Sequence, residues 1–309
     1  MWLGSGGSNL PVPKDSAQKR PVFADLRIAY HKELCSSILG HRPDTTVFSV
    51  ADRGSKASIG LAADMAERMR KGSSAEFCKD IPDGQTAGDR FTRLTLEFLE
   101  AAFTRLEHIR PGEWSFSIGQ RPGIAGFYQY EHLADLQEVL RTHKDLKAAL
   151  GGDYLITPDI VVARRPLTDS EINTRANLLS PDDSTATLSP LRGANYAGGR
   201  PILHASVSCK WTLRSDRAQN ARTEGLNLIR NRKGNAPHIV FVTLEPLPSR
   251  LASIALGTGD VDCSYHAALH ELIQAVDSSE WDDAAEMLHV LVDGRRLRDI
   301  SDLPLDLAT

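Results

Sequence analysis

A chain of 309 residues with 41% hydrophobic and 25% charged side chains has the make-up of a folded globular protein, which excludes a largely disordered one and suits one large α/β domain with added helices. Its longest apolar runs, such as Ile239-Val240-Phe241-Val242, fall far short of the about 20 residues a bilayer span needs, and its Gly/Ser-rich start lacks a secretory pattern. A net charge of −4 argues against a non-specific nucleic-acid coat, and four scattered cysteines (Cys35, Cys78, Cys209, Cys263) with no Cys-x-x-Cys pair argue against zinc frameworks and disulfide scaffolds and fit a reducing cytoplasm.

Residues 1–21 read as a flexible tail, rich in Gly, Ser, Pro and Lys. Beyond them, 22–309 reads as one unit: a mainly helical part over 22–150, a sheet with an adjoining helix over 151–250, and a helical end over 251–309. Helical spacing of apolar residues predicts helices over 23–39, from Ser58 to Met69, and over 89–107, the last through Phe91, Leu94, Phe98, Ala101 and Leu106. Pro111-Gly112 breaks the chain, and Trp114, Phe116 and Ile118 then alternate with polar residues as in a half-buried strand. A helix from Tyr130 to Leu150 ends at Gly151-Gly152. Tyr154 to Ala163 reads as a strand interrupted by Pro158, and 166–200 as a long Pro/Ser/Asn/Gly-rich insertion. A strand from Ile202 to Lys210, a helix from Asp216 to Arg232 with Ala218, Ala221, Leu226 and Ile229 inward, and a buried strand from His238 to Leu244 follow. Helices over His266–Val276 and Trp281–Leu291 close the chain. Helices ahead of a mixed sheet make an α/β fold.

The charge is unevenly spread. From His204 to Lys233 there are seven Lys/Arg against two acids, whereas from Asp277 to Thr309 nine acids face three arginines. A local basic stripe on an acidic protein suits an anion bound at one place; a solvated helix face has the same composition.

Asp159 follows a proline within an apolar strand, a costly position for a charge unless it is paired, binds a metal or accepts backbone hydrogen bonds. Lys210 ends the strand Ser206-Val207-Ser208-Cys209-Lys210. A strand acid and a strand lysine are what Mg²⁺-dependent phosphodiester cleavage needs: the carboxylate holds the cation, and the lysine stabilises developing charge or orients water. Such sites usually carry a second acid two residues before the lysine. Ser208 stands there, and Glu224, 14 residues beyond Lys210 on the next helix, is the nearest replacement. Arg214-Ser215-Asp216-Arg217 opens that helix, with Ser215 and Asp216 as capping residues. Arg forks onto guanine and Asp accepts from cytosine, so the cluster suits a G·C-rich sequence. Surface ion pairing of a capped helix remains the alternative use. Cys209 has no local base and reads as a small buried residue. His266 and His270 have ligand spacing without a third partner.

The run His204-Ala205-Ser206-Val207-Ser208-Cys209-Lys210-Trp211-Thr212-Leu213-Arg214-Ser215-Asp216-Arg217-Ala218-Gln219-Asn220, continued from Glu224 to Gly234, resembles the NgoMIV family of type II restriction endonucleases. Glu245-Pro246 to Arg250, Ala255-Leu256-Gly257-Thr258-Gly259, Ile300 to Ala308, Gly84-Gln85-Thr86 and His108 to Gly112 extend the likeness. The resemblance implies a restriction-endonuclease-like, PD-(D/E)XK fold with a mixed central sheet flanked by helices. It implies Asp159, Lys210, Glu224 and Ser208 as catalytic residues, and a Mg²⁺ site formed by Asp159, Glu224 and the Cys209 carbonyl. Arg214, Asp216 and Arg217 would read a central CCGG, Arg250 and the region of Ser55 the outer base pair, and Gln85 the minor groove. It further implies double-stranded DNA as partner, a homotetramer built as a dimer of dimers, a methyltransferase as functional counterpart, and cleavage of GCCGGC after the first G to leave 5′-CCGG ends. The family carries a further glutamate early in the helix after Gly-Gln-Thr. That position is Thr92 here, with Glu97 and Glu100 the nearest acids, which sets an inactive sequence-specific DNA-binding protein beside the enzyme as the alternative.

Overall fold

The computed structural model describes residues 20–43, 45–120, 123–143, 156–193, 199–256 and 259–309, and leaves out the side chains of 137, 141 and 215–217. Of the tail expected over 1–21, residues 1–19 lie outside these residues, as does the end of the helix expected to reach Leu150.

Six strands form one sheet in sequence order: β1 (Trp114–Ile118), β2 (Ile160–Arg164), β3 (Ile202–Lys210), β4 (His238–Thr243), β5 (Cys263–His266) and β6 (Leu297–Asp299). The first three pair antiparallel and the last three add in parallel to β3, so the sheet is mixed, as expected. β4 is buried along nearly its whole length, as its unbroken apolar run requires of a parallel central strand.

The helix α1 (Val22–Ser37) packs on both α2 (Lys56–Ser73) and α3 (Gly84–Phe103), and α3 lies against β3 and β1. They share one core with Ile160, Val162, Ala205, Val207, Val240 and Val242. The opposite face buries Val161, Leu203 and Ile239 against Ile124, Tyr130 and Leu133, the last on α4 (His132–Thr142). Two helical layers thus sandwich the sheet, the arrangement a sheet with two apolar faces demands.

Several expected boundaries move. Of the strand expected from Tyr154 to Ala163, residues 154 and 155 lie outside the described residues, and the strand itself is Ile160–Arg164. Pro158 has no N–H to give a ladder, and Asp159 instead offers its carbonyl to the Gly119 N–H at 3.1 Å. His266, expected to open a helix, ends β5; the helix that follows is Leu269–Asp277. β5 and β6, of four and three residues, are too short to show a period. Within the expected insertion, Asp169–Ile172 forms one helical turn, α5, with a Thr168/Glu171 capping box, and Asp169 bonds the fully buried Arg192 guanidinium at 2.7 Å. α6 (Ser215–Asn231) has its cap position at Arg214, not at Ser215 or Asp216. It buries Ala218, Ala221 and Leu228, leaving Leu226 and Ile229 half-buried. The rotation follows from Gly225, where a Cβ would stand 2.2 Å from the Asp260 carbonyl oxygen; the small-residue face lies closest to the sheet. The helix α7 (Pro248–Ala255) comes next, followed by α8 (Leu269–Asp277), α9 (Asp282–Asp293) and the turn α10 (Leu303–Asp306).

Candidate active site and DNA-reading surface

Register brings the first two candidate residues together. Ile160 pairs with Val207 in the antiparallel β2–β3 ladder, so the chain just before β2 passes alongside the end of β3. There Asp159 Oδ2 accepts from Lys210 Nζ at 2.7 Å, from the Cys209 N–H at 2.8 Å and, more weakly, from Ser208 Oγ at 3.5 Å. Asp159 is therefore both an ion-pair partner and a backbone acceptor. Burial works against the Lys210 ammonium, but the charge of Asp159 and its hydrogen bond outweigh it and raise the lysine above its usual value. Lys210 stays protonated.

Glu224 comes from α6 on the Ser208 side of β3. Ala221, Glu224, Gly225 and Leu228, one helical face, line a narrow cleft with Ser206, Ser208, Val240 and Phe241. Burial raises the Glu224 carboxyl; the Lys210 charge opposes this and that of Asp159 adds to it. The two acids and the lysine share one electrostatic field.

Cys209 points its thiol to the other side of β3. Burial first, then the Asp159 charge, raises that thiol well above its usual range, and it hydrogen-bonds Thr95 and Thr92. It is a packed thiol and no nucleophile, as its lack of a base implied. Thr92 is 8% exposed on that same thiol side, whereas Glu97 and Glu100 face solvent. His266 is buried, with Nδ1 accepting from the Ala268 N–H and Nε2 against the Glu245 carbonyl, and does not pair with His270.

A second group forms beyond the end of β3. Arg214, exposed, precedes α6. Arg250 on α7 donates Nη1 to the Leu213 carbonyl at 3.1 Å, and its Nη2 is ion-paired to Asp52. The Asp52 carbonyl accepts the Ser55 N–H at 3.2 Å, and the Ser55 hydroxyl caps α2 by accepting from the Ser58 N–H at 3.2 Å. Arg250 and the region of Ser55 thus meet, through Asp52. Gln85 is exposed in the first turn of α3 and makes no side-chain hydrogen bond to this group among the described residues. The side chains of Asp216 and Arg217 lie outside them.

Sequence reasoning missed Asp52 and gave no role to Glu245, which is 1% exposed beside Arg250. The argument that singled out Asp159, a carboxylate at the end of an apolar strand, applies equally to Glu245 just past β4.

A carboxylate–lysine pair at the mouth of two sheet strands, with a second acid on the following helix, is the architecture of a metal-dependent nuclease of the restriction-endonuclease-like class. The NgoMIV restriction enzyme family matches residues 30–309. The type II restriction enzyme NgoMIV of Neisseria gonorrhoeae is 48% identical over 291 residues, covering 93% of this chain and 99% of that enzyme. The chain belongs to the NgoMIV restriction enzyme family. A crystal structure of the type IIF restriction endonuclease Bse634I with cognate DNA aligns over 92% of both chains at 14% identity and a TM-score of 0.29, too loose a superposition to bear on the site.

Proposed function

We propose that this type II restriction endonuclease is a Mg²⁺-dependent enzyme that cuts double-stranded DNA at a CCGG-centred site, GCCGGC, after the first G, to leave 5′-CCGG overhangs. The observation that carries the chemistry is the Asp159 carboxylate holding the Lys210 ammonium at 2.7 Å with Glu224 in the same field.

The donor set fits a hard divalent cation. Two carboxylates offer oxygens, and Mg²⁺ typically takes one or two such groups and keeps several waters. Among the described residues no group of three or more His, Cys, Asp or Glu side chains is placed to hold a metal ion. The Cys209 N–H faces Asp159, and in a strand a residue's N–H and C=O point to the same edge. This supports the Cys209 carbonyl as a third oxygen ligand. Bound there, Mg²⁺ supplies a Lewis acid that polarises the phosphate and lowers the pKa of its water. Lys210 donates to a phosphate oxygen as negative charge develops, Asp159 keeps it charged and aimed, and Ser208 lines the site beside them.

Arg214, Asp216 and Arg217 at the start of α6 read the CCGG core. Arg250, oriented by Asp52, reads the outer pair with the Ser55 region, and Gln85 faces the minor groove. An Arg beside an Asp suits a G·C pair, with Arg on guanine and Asp on cytosine. The assembly is a homotetramer, a dimer of dimers, working in the cytoplasm opposite a cognate DNA methyltransferase. No described helix is long and apolar enough to cross a membrane.

Thr92 favours a second reading, an inert DNA-binding protein. Digestion of a plasmid bearing GCCGGC sites, in Mg²⁺ and in EDTA, with sequencing of the ends, separates the two. The expected result is Mg²⁺-dependent cutting with 5′-CCGG ends. Specific binding in Ca²⁺ without cutting in Mg²⁺ would establish the inert binder, and cutting at unrelated sequences would overturn the site assignment.

A further inference from the structure

Glu245 belongs to neither the metal-binding nor the base-reading set, yet it is 1% exposed. Its Oε2 accepts the Leu213 N–H at 2.8 Å and lies 3.8 Å from Arg250 Nη1. Its Oε1 accepts the Leu247 N–H at 3.2 Å, at the head of α7. Its backbone is fixed in turn: its N–H donates to Thr243 Oγ1 at 3.1 Å, and its carbonyl meets His266 Nε2 at 3.1 Å. Arg250 closes the circuit by donating to the Leu213 carbonyl at 3.1 Å.

Leu213 lies between Lys210, the end of the catalytic strand, and Arg214, the start of the reading helix. One carboxylate therefore grips the three-residue link from chemistry to core reader on one side and the head of the outer reader's helix on the other. A carboxylate is an expensive residue to bury for packing alone. Its two oxygens and its charge match two N–H groups and a guanidinium that lie on different segments.

We propose that Glu245 is a positioning residue that holds Arg214 and Arg250 in register with Lys210, so that sequence discrimination depends on it. The inference rests on the reading of Arg214 and Arg250 given above.

The test is the ratio of affinities, in Ca²⁺, for a duplex centred on GCCGGC and one centred on ACCGGT, for wild type, Glu245→Gln, Arg250→Ala and the double variant. Gln keeps the shape but can offer only one acceptor to the two N–H groups. Glu245→Gln should lose roughly tenfold of the ratio, within the range of one forked guanine contact. In the Arg250→Ala background the same change should cost much less, because the two act as a unit. A folded Glu245→Gln protein with the wild-type ratio, or losses that simply add, would overturn the proposal. A wild-type protein with no preference would overturn the reading beneath it.

A second arm needs no variant. Burial pushes the Glu245 carboxyl up to about 7, despite the Leu213 N–H and Arg250. The charged and titratable groups facing it are Arg250, Asp52 and His266. The Gly54 N–H and Arg250 hold Asp52 below the usual carboxylate range, and burial holds His266 down to about 4. Neither titrates between about pH 6 and 8. The wild-type ratio should therefore rise with pH across that window, and a flat ratio would count against the proposal.

Discussion

At the scale of single residues, the ion pair of Asp159 and Lys210 makes the sharpest demand. Lys210 is held cationic against burial chiefly by the charge and hydrogen bond of Asp159, with Glu224 adding a weaker pull. Lys210→Met keeps the stem and removes the charge. It should slow single-turnover cleavage at least about a hundredfold, the usual cost of losing one donor to developing charge. Specific binding in Ca²⁺ should persist, because Lys210 does not read bases. Cleavage within a few-fold of wild type would remove Lys210 from the chemistry. Much of this cluster was legible in the sequence because β2 and β3 are long enough to declare themselves, and a charged residue at the end of an apolar strand needs a reason. Asp52 was not, because it lies in a loop and meets Arg250 across 198 positions, and Glu245, at the end of an apolar strand like Asp159, meets Leu213 through a backbone N–H that leaves no mark in the residue types. No local period records such contacts.

At the scale of elements, the approach of α6 to the sheet sets where Glu224 arrives. Gly225 permits it, since any Cβ there would press on the Asp260 backbone carbonyl at 2.2 Å, a contact with no flexible side chain to yield. Gly225→Ala should lift the helix, move the Glu224 carboxylate away from Ser208, and cost about 1–3 kcal/mol of stability, the range for overpacking. Gly72 near the end of α2 is the control, for nothing stands within 4 Å of a Cβ there. Gly72→Ala should leave the melting temperature unchanged or raise it. Equal melting and equal cleavage in the two variants would show that the close approach does not position Glu224. The elements most visible in the sequence were those with a sustained period, α3 and β3. Those concealed from it were short, β5 and β6, or held by polar contacts, as where Arg192 is buried against Asp169 with no apolar pattern.

At the scale of the whole molecule, one largely buried network ties the first helix to the last strand. Arg27 on α1 donates to Glu271 at 2.9 and 2.6 Å and to Asp299 at 2.9 and 2.8 Å. Burial alone would raise Asp299, but the Arg27 hydrogen bonds and charge outweigh it and bring it down to about 2; Glu271 is lowered in the same way. A depressed folded-state carboxyl contributes stability that is complete above its unfolded value, near 3.9 for Asp, and is lost as pH falls toward the folded value. Arg27→Leu strands the buried Asp299 and the half-buried Glu271 carboxylates and should cost about 3 kcal/mol at neutral pH. In urea melts the deficit should shrink as pH falls through the range from about 4 to about 2. A deficit independent of pH would mean that Arg27 stabilises by packing alone. Assembly carries the last prediction. If four subunits present two DNA-binding clefts, a second site on the same plasmid reaches the second cleft at a raised effective concentration. A two-site plasmid should then be cut faster than a one-site plasmid of equal length, and adding a short cognate duplex in trans should speed the one-site plasmid by filling the empty cleft. Both effects should fade together when the protein is diluted until light scattering reports a dimer. Equal rates on the two plasmids, with a dimer at every concentration, would leave each pair of subunits acting alone and remove the tetramer from the mechanism.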